Sequence, residues 1–190
     1  MTRLEILQKT ESNIFTTDDL AVLWEVSDRR DVIESVKDYI RRERMHSIKK
    51  GIYSLNKEYD INELAQKLIS PSYISYFTAL AAHGIIFQKY SEIHSFALYS
   101  KNFTVRDQKY IYHKMSERIL YTQEGILNEK NYTIASPERA ICDSLYLNKN
   151  IAFDNLRNID IKKSGEISNI YQNKRLEVDI KKLIKQIGEK

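Results

Sequence analysis

Between Thr16 and Leu55 the spacing of apolar residues changes from a helical to an extended period, and that change limits what the chain can build. "TTDDLAVLW" places Thr16 as an N-cap with Asp19 three residues on, an acidic first turn, and Leu20, Leu23 and Trp24 on one face. A few residues later Ser27 can cap a second helix, in which Val32, Val36, Tyr39 and Ile40 keep helical spacing while Arg29, Arg30, Glu34, Lys37 and Arg41 face elsewhere. From Met45 the pattern becomes extended, with Ile48 and Ile52 flanking "KKG", where Gly51 can supply the positive φ of a tight hairpin turn. Two closely joined helices followed by a basic-tipped hairpin is the order of a winged helix-turn-helix. It predicts a first domain over residues 1–57, which opens with a short helix carrying Leu4 and Leu7 and an extended pair, Ile14 and Phe15.

Charge concentrates in this segment. From Arg29 to Lys50 there are eight basic and four acidic residues, so this stretch carries the whole formal net charge of +4. Including Asp28 lowers its excess by one. A helix entering the major groove would read base edges with its first turn, while flanking basic groups hold phosphates. The candidate DNA-contacting set is Ser27, Arg29, Arg30, Lys37, Arg41, Arg42, Arg44, Lys49 and Lys50. Arg29 and Arg30 oppose the helix dipole at a typical cost of ~0.3–1 kcal/mol, and arginine pairs bidentately with guanine, so they are assigned to base reading. Lys37, Arg41, Arg42 and Arg44 suit either phosphate contact or plain solvation. Lys49 and Lys50 lie at the hairpin tip, within reach of flanking phosphates.

The remainder, 58–190, reads as a second, mixed domain. "EYDINELAQKLIS" suits a connecting helix with Ile61, Leu64, Ala65 and Leu68 on one stripe. "YISYFTALAAHGI" predicts a strand turning at Ser75 into a helix stopped by Gly84. "HSFALYS" and "KYIYHKMS" are extended candidates. "YTIASPERAICDSLYL" couples a strand to a helix with Ser136 as N-cap, Pro137 first and Glu138 near the positive end of the dipole. "RLEVDIKKLIKQI" sets Leu176, Ile180, Leu183, Ile184 and Ile187 along one face. The fold class expected is α/β (α+β), a winged helix-turn-helix followed by a small sheet with packed helices.

Three segments together resemble the AbiEi-type antitoxins, regulators of abortive-infection toxin–antitoxin systems: "FTTDDLAVLW" with "KKGIYSL", then "PSYISYFTALAAHGI", then "IASPERAICDSLYL". The resemblance covers most of residues 15–147 and implies an N-terminal winged helix on operator DNA and a C-terminal α/β domain needed for antitoxicity. It further implies autorepression and a nucleotidyltransferase toxin as partner, with or without a stable complex; a homodimer or cooperative binding on DNA stays open. Where such proteins usually have glycine between the second helix and the wing, this chain has Glu43 and Arg44, which predicts a longer or differently angled helix. The segment 148–190 has no counterpart in the resemblance.

Ser136, Glu138, Arg139 and Asp143 cluster on one predicted helix. Capping and an i, i+4 pair on the helix surface account for them, and the alternative is a surface for an antitoxin's partner. Thirteen tyrosines, Tyr110 and Tyr112 among them, suit sheet packing or base stacking. The single cysteine, Cys142, excludes an internal disulfide, and four scattered histidines lack metal-ligand spacing, so no metal or cofactor is expected. An enzyme is not expected either, although "RDQK" sets Asp107 and Lys109 at the acid-x-lysine spacing of metal-dependent nucleases, and "DIK" recurs at Asp160 and Asp179. A nuclease or a protein-interaction adaptor are the competing functions. No apolar run approaches the ~20 residues of a membrane helix, and "MTRLEILQKTE" lacks a signal-peptide pattern, so a cytoplasmic location without membrane association is expected.

Overall fold

The computed structural model describes residues 2–88, 90–147, 151–157 and 159–188, without the side chains at 161 and 186–188, and the chain divides into two compact units, Met1–Ser70 and Pro71–Lys190. Both helices and strands occur in each unit, so the α/β class holds. No helix among the described residues is long and apolar enough to cross a membrane.

The first unit runs α1 (Arg3–Gln8), β1 (Ile14–Thr16), α2 (Thr17–Leu23), α3 (Arg29–Arg41), β2 (His46–Lys49), β3 (Ile52–Ser54) and α4 (Ile61–Leu68). Capping boxes start α1 and α2, with Thr2 and Glu5 in one and Thr16 and Asp19 in the other. Asp28, not Ser27, caps α3: its carboxylate accepts from the Arg30 amide at 2.8 Å, leaving Ser27 one residue outside the helix. Both α2 and α3 end in Schellman turns. Glu25 and Glu43 take left-handed φ values of 55° and 56°, and the amides of Val26 and Arg44 reach back to Ala21 and Tyr39. Glutamate therefore performs the glycine's role after α3, and the helix stops at Arg41 instead of running into the hairpin.

β1, β3 and β2 form an antiparallel sheet in that order, with a register shift between Ser47 and Lys49. Leu7, Phe15, Leu20, Trp24, Val32, Val36 and Met45 fill the core, each large side chain contributing ~1.5–3 kcal/mol by leaving water. The unit extends past residue 57 because α4 is tied into it. Glu63, buried, accepts from Ser12 Oγ at 2.5 Å and from the amides of Asn13 and Ile14 at 3.1 Å. Lys67 pairs with Asp19 at 2.7 Å. Leu64 and Ala65 are buried as expected, whereas Ile61 is 39% exposed, its place inside being taken by Glu63.

The second unit contains β4 (Ser72–Ile74), α5 (Tyr76–Ala82), β5 (Ile93–Ala97), β6 (Lys101–Val105), β7 (Gln108–Lys114), α6 (Glu117–Leu120), β8 (Ile126–Asn128), β9 (Thr133–Ala135), α7 (Pro137–Leu147), α8 (Ile161–Ser168), a 3-10 turn (Asn169–Tyr171) and α9 (Lys174–Gly188). Its sheet has the order β6-β7-β5-β4-β9-β8. β4 lies parallel to β9 and β5 parallel to β7, and the other neighbours are antiparallel. Gly84 closes α5 at φ 66°, as the sequence implies. Residues 138–145 of α7 are buried all round, the mark of a central helix. On α9, Leu176 and Ile180 are buried; the Ile187 side chain lies outside the described residues.

Candidate nucleic-acid interface

Residues 24–28 join α2 to α3 so closely that the start of α3 lies beside the exposed side of α2, where Asp18 meets Arg29. Val32 and Val36 bury the inner side of α3, which turns Arg30, Glu34, Lys37 and Arg41, spaced four, three and four residues apart, outward along one ridge. All nine candidate DNA-contacting residues, Ser27, Arg29, Arg30, Lys37, Arg41, Arg42, Arg44, Lys49 and Lys50, are exposed. They do not form one patch. Arg42 lies on the flank of α3, lining a groove with Arg3, Glu34, Ser35, Asp38 and Tyr39. Two exposed apolar side chains accompany the cations, Val22 at 77% and Ile33 at 37%.

Every arginine of α3 and its cap holds an aspartate. Asp18 pairs with Arg29. Asp28 accepts from Arg30 Nη2 at 2.8 Å and Nε at 3.1 Å, and this hydrogen bond holds its carboxyl below the ordinary range. Asp38 bridges Arg41 at 2.6 Å and Arg42 at 3.0 Å. Such exposed pairs are typically worth 0–1 kcal/mol, so a phosphate or a base edge could replace the carboxylate at low cost. Among the described residues, Lys37, Arg44 and Lys50 have no ion-pair partner.

The hairpin carries Lys49 and Lys50 at its turn, and that turn is anchored. The Thr17 amide donates to the Gly51 carbonyl at 3.0 Å, joining the turn to the first residue of α2. Gly51 has φ 80°, a conformation a side chain would strain.

The second set of candidates is placed differently from the surface expected. Ser136, Glu138, Arg139 and Asp143 are all buried, Arg139 and Asp143 with 0% exposure, so they offer nothing to a partner. They organise the inside of the second unit. Asp143 accepts from Tyr171 at 2.5 Å, Ser75 at 2.7 Å, Tyr73 at 3.1 Å and Arg139 Nε at 3.4 Å. Arg139 also donates to the Glu124 and Ile119 carbonyls and lies over the Tyr73 and Tyr171 rings. Burial raises the Asp143 carboxyl, against Arg139 and the three hydroxyls, which lower it. Glu138 accepts from Ser136 Oγ and from the amide of Asp160, the cap of α8. Gly125 lets Arg139 through: a Cβ there would stand 2.7 Å from that of Arg139.

Sequence reasoning passed over Asp18, Asp28 and Asp38 as partners. The i+3 and i+4 spacing of Asp38 to Arg41 and Arg42 was available; nothing local links Asp18 to Arg29. It also missed Tyr73, Gly125 and Tyr171, which only the tertiary fold brings to Arg139. Tyr110 and Tyr112 are buried in the sheet. Asp107 occupies the turn between β6 and β7, with Lys109 exposed on β7. Among the described residues no group of three or more His, Cys, Asp or Glu could hold a metal ion. No protein-family model matches the chain, and no curated protein matches it.

Proposed function

We propose that the chain is a DNA-binding transcriptional regulator whose first unit works as a winged helix-turn-helix, with α3 in the major groove and the β2–β3 hairpin as the wing. The observation that carries this reading is the exposed α3 ridge of Arg30, Lys37 and Arg41, in the same unit as a hairpin turn bearing exposed Lys49 and Lys50. Arg30 lies in the first turn, where a guanidinium reaches a guanine edge; Lys37, Arg41 and the hairpin lysines suit phosphates. Val22 and Ile33 offer apolar contact of the kind thymine methyls accept.

The resemblance to AbiEi-type antitoxins extends the proposal. The chain would repress its own promoter and, through its second unit, counter a nucleotidyltransferase toxin. Its place of action would be the cytoplasm, and it would need no cofactor.

Binding to the DNA upstream of its own gene, followed as a function of salt, tests the reading. Lys49→Ala with Lys50→Ala should weaken binding to all sequences and reduce the salt slope by ~1 per lost phosphate contact, whereas Arg30→Ala should mainly relax sequence choice. An unchanged slope in the lysine variant removes the wing from the interface.

A further inference from the structure

We infer that Asp18 and Asp38 are selectivity determinants of the DNA-binding face, holding the arginines of α3 in reserve so that non-specific duplex binds weakly. The inference rests on the proposed DNA-binding function and adds the feature that sets its discrimination.

The guanidinium groups of Arg29, Arg41 and Arg42 must each leave an aspartate before they can take a phosphate. Arg29 is held by Asp18, while Arg41 and Arg42 share the two oxygens of Asp38. A carboxylate and a phosphate present the same kind of acceptor to the guanidinium fork. Moving an arginine from one to the other exchanges like for like and leaves an uncompensated aspartate beside the polyanion. Random duplex gives nothing to offset that repulsion. A site that also supplies base-edge hydrogen bonds and apolar contact to Val22 and Ile33 does.

The Arg29 and Asp18 side chains are 68% and 67% accessible, and Arg41 and Arg42 are 77% and 69% accessible against a half-buried Asp38, so the guanidinium groups are open to a ligand. Unspecific attraction is left to the cations with no aspartate across from them, of which Lys37 and Lys50 face outward on the ridge and the hairpin turn.

The full chain and its Asp18→Asn, Asp38→Asn and double variants are titrated with a duplex from its own upstream region and a scrambled duplex of equal length and composition, from 50 to 200 mM salt. Glu58→Gln, which removes the same charge from an exposed position outside the face, is the control. Asp38→Asn frees two arginines. It should strengthen binding to scrambled duplex about three- to tenfold and steepen that salt slope by about 2, with less gain on the upstream duplex, so the affinity ratio falls. Asp18→Asn should do half as much in slope, and Glu58→Gln should leave the ratio as it was.

If the parent chain prefers its upstream duplex but the aspartate variants leave the ratio unchanged, or Glu58→Gln lowers it equally, the selectivity role is overturned and DNA binding stands. If the parent chain binds neither duplex, both fall. Unchanged thermal unfolding of the variants separates these outcomes from a folding defect.

Discussion

Each unit pairs arginine with aspartate at helical spacing, and the two pairs live in opposite surroundings. On and just past α3, a half-buried Asp38 meets the exposed Arg41 and Arg42 at the surface; on α7, Asp143 meets Arg139 with no solvent at all. The first arrangement is exchangeable, because water or another anion can take either side. The second is committed, because removing one member strands a charge among Tyr73, Tyr171 and the Ile119 carbonyl. Identical residue types thus make one pairing at the surface that can let go and one in the interior that cannot.

The largest expected effect tests the committed side. Asp143→Ala should cost about 3–5 kcal/mol of stability, and an Arg139→Met, Asp143→Leu double variant should recover part of it. Trp24, the one tryptophan, sits in the core of the first unit, so its fluorescence reports that unit while far-UV dichroism reports both. A loss of far-UV signal that leaves the Trp24 signal intact confines the damage to the second unit; a joint loss would show that the two units unfold together.

Acid should separate the units next. His94 and His113 share a ring hydrogen bond of 2.9 Å, and burial, with His113 beside it, lowers the His94 pKa from 6.5 to about 4. The unfolded chain then binds more protons than the folded one between those values. The contribution is fully present above about pH 6.5 and is lost as pH falls toward 4, by ~1–2 kcal/mol after allowance for the ring's partial exposure. His94→Phe should flatten that slope in denaturant titrations. In the first unit, burial would raise the Asp19 carboxyl, but Lys67 and the Thr16 amide outweigh it and lower the pKa below 3.8. Its share is present above the ordinary carboxylate value and fades only as pH drops below it, so the Trp24 signal should outlast the far-UV signal on acidification.

Smaller effects come from the helix ends. Glu43→Gly should stabilise the first unit by up to ~1 kcal/mol, since glycine meets no steric cost at φ 56° and loses part of that gain to its freer unfolded chain. Gly84→Ala in the second unit should shift stability the other way, by a similar amount, in the same denaturant titrations. Smallest of all, Asp38→Asn should change stability by less than ~1 kcal/mol, so the proposed effect on DNA selectivity can be read without a folding defect.

Local chemistry was legible in the sequence and partner choice was not. The Thr16 capping box, the Gly84 stop and the Ser136–Pro137 helix start each depend on residues within a few positions, and each stands where the pattern puts it. Ser27 and Asp28 are adjacent and both competent caps, so which one reached the Arg30 amide depended on backbone direction, not residue type. The spacing of Arg139 and Asp143 shows that they can meet, whereas their depth depends on Tyr73 and Tyr171, both distant along the chain. Glu63 is likewise held inside by Ser12 and the amides after it, some fifty residues away along the chain. The α3 ridge was readable from periodicity; the aspartates that restrain its arginines were visible only in part.

The bond between Thr17 and Gly51 gives the hairpin turn a firm footing. Two residues further along α2, Asp19 grips Lys67 of α4, the last helix before the chain leaves the first unit. Turn, helix and exit segment are therefore strung on two polar links, like rungs between rails. A load taken up by Lys50 would be felt within a few residues of where the polypeptide departs.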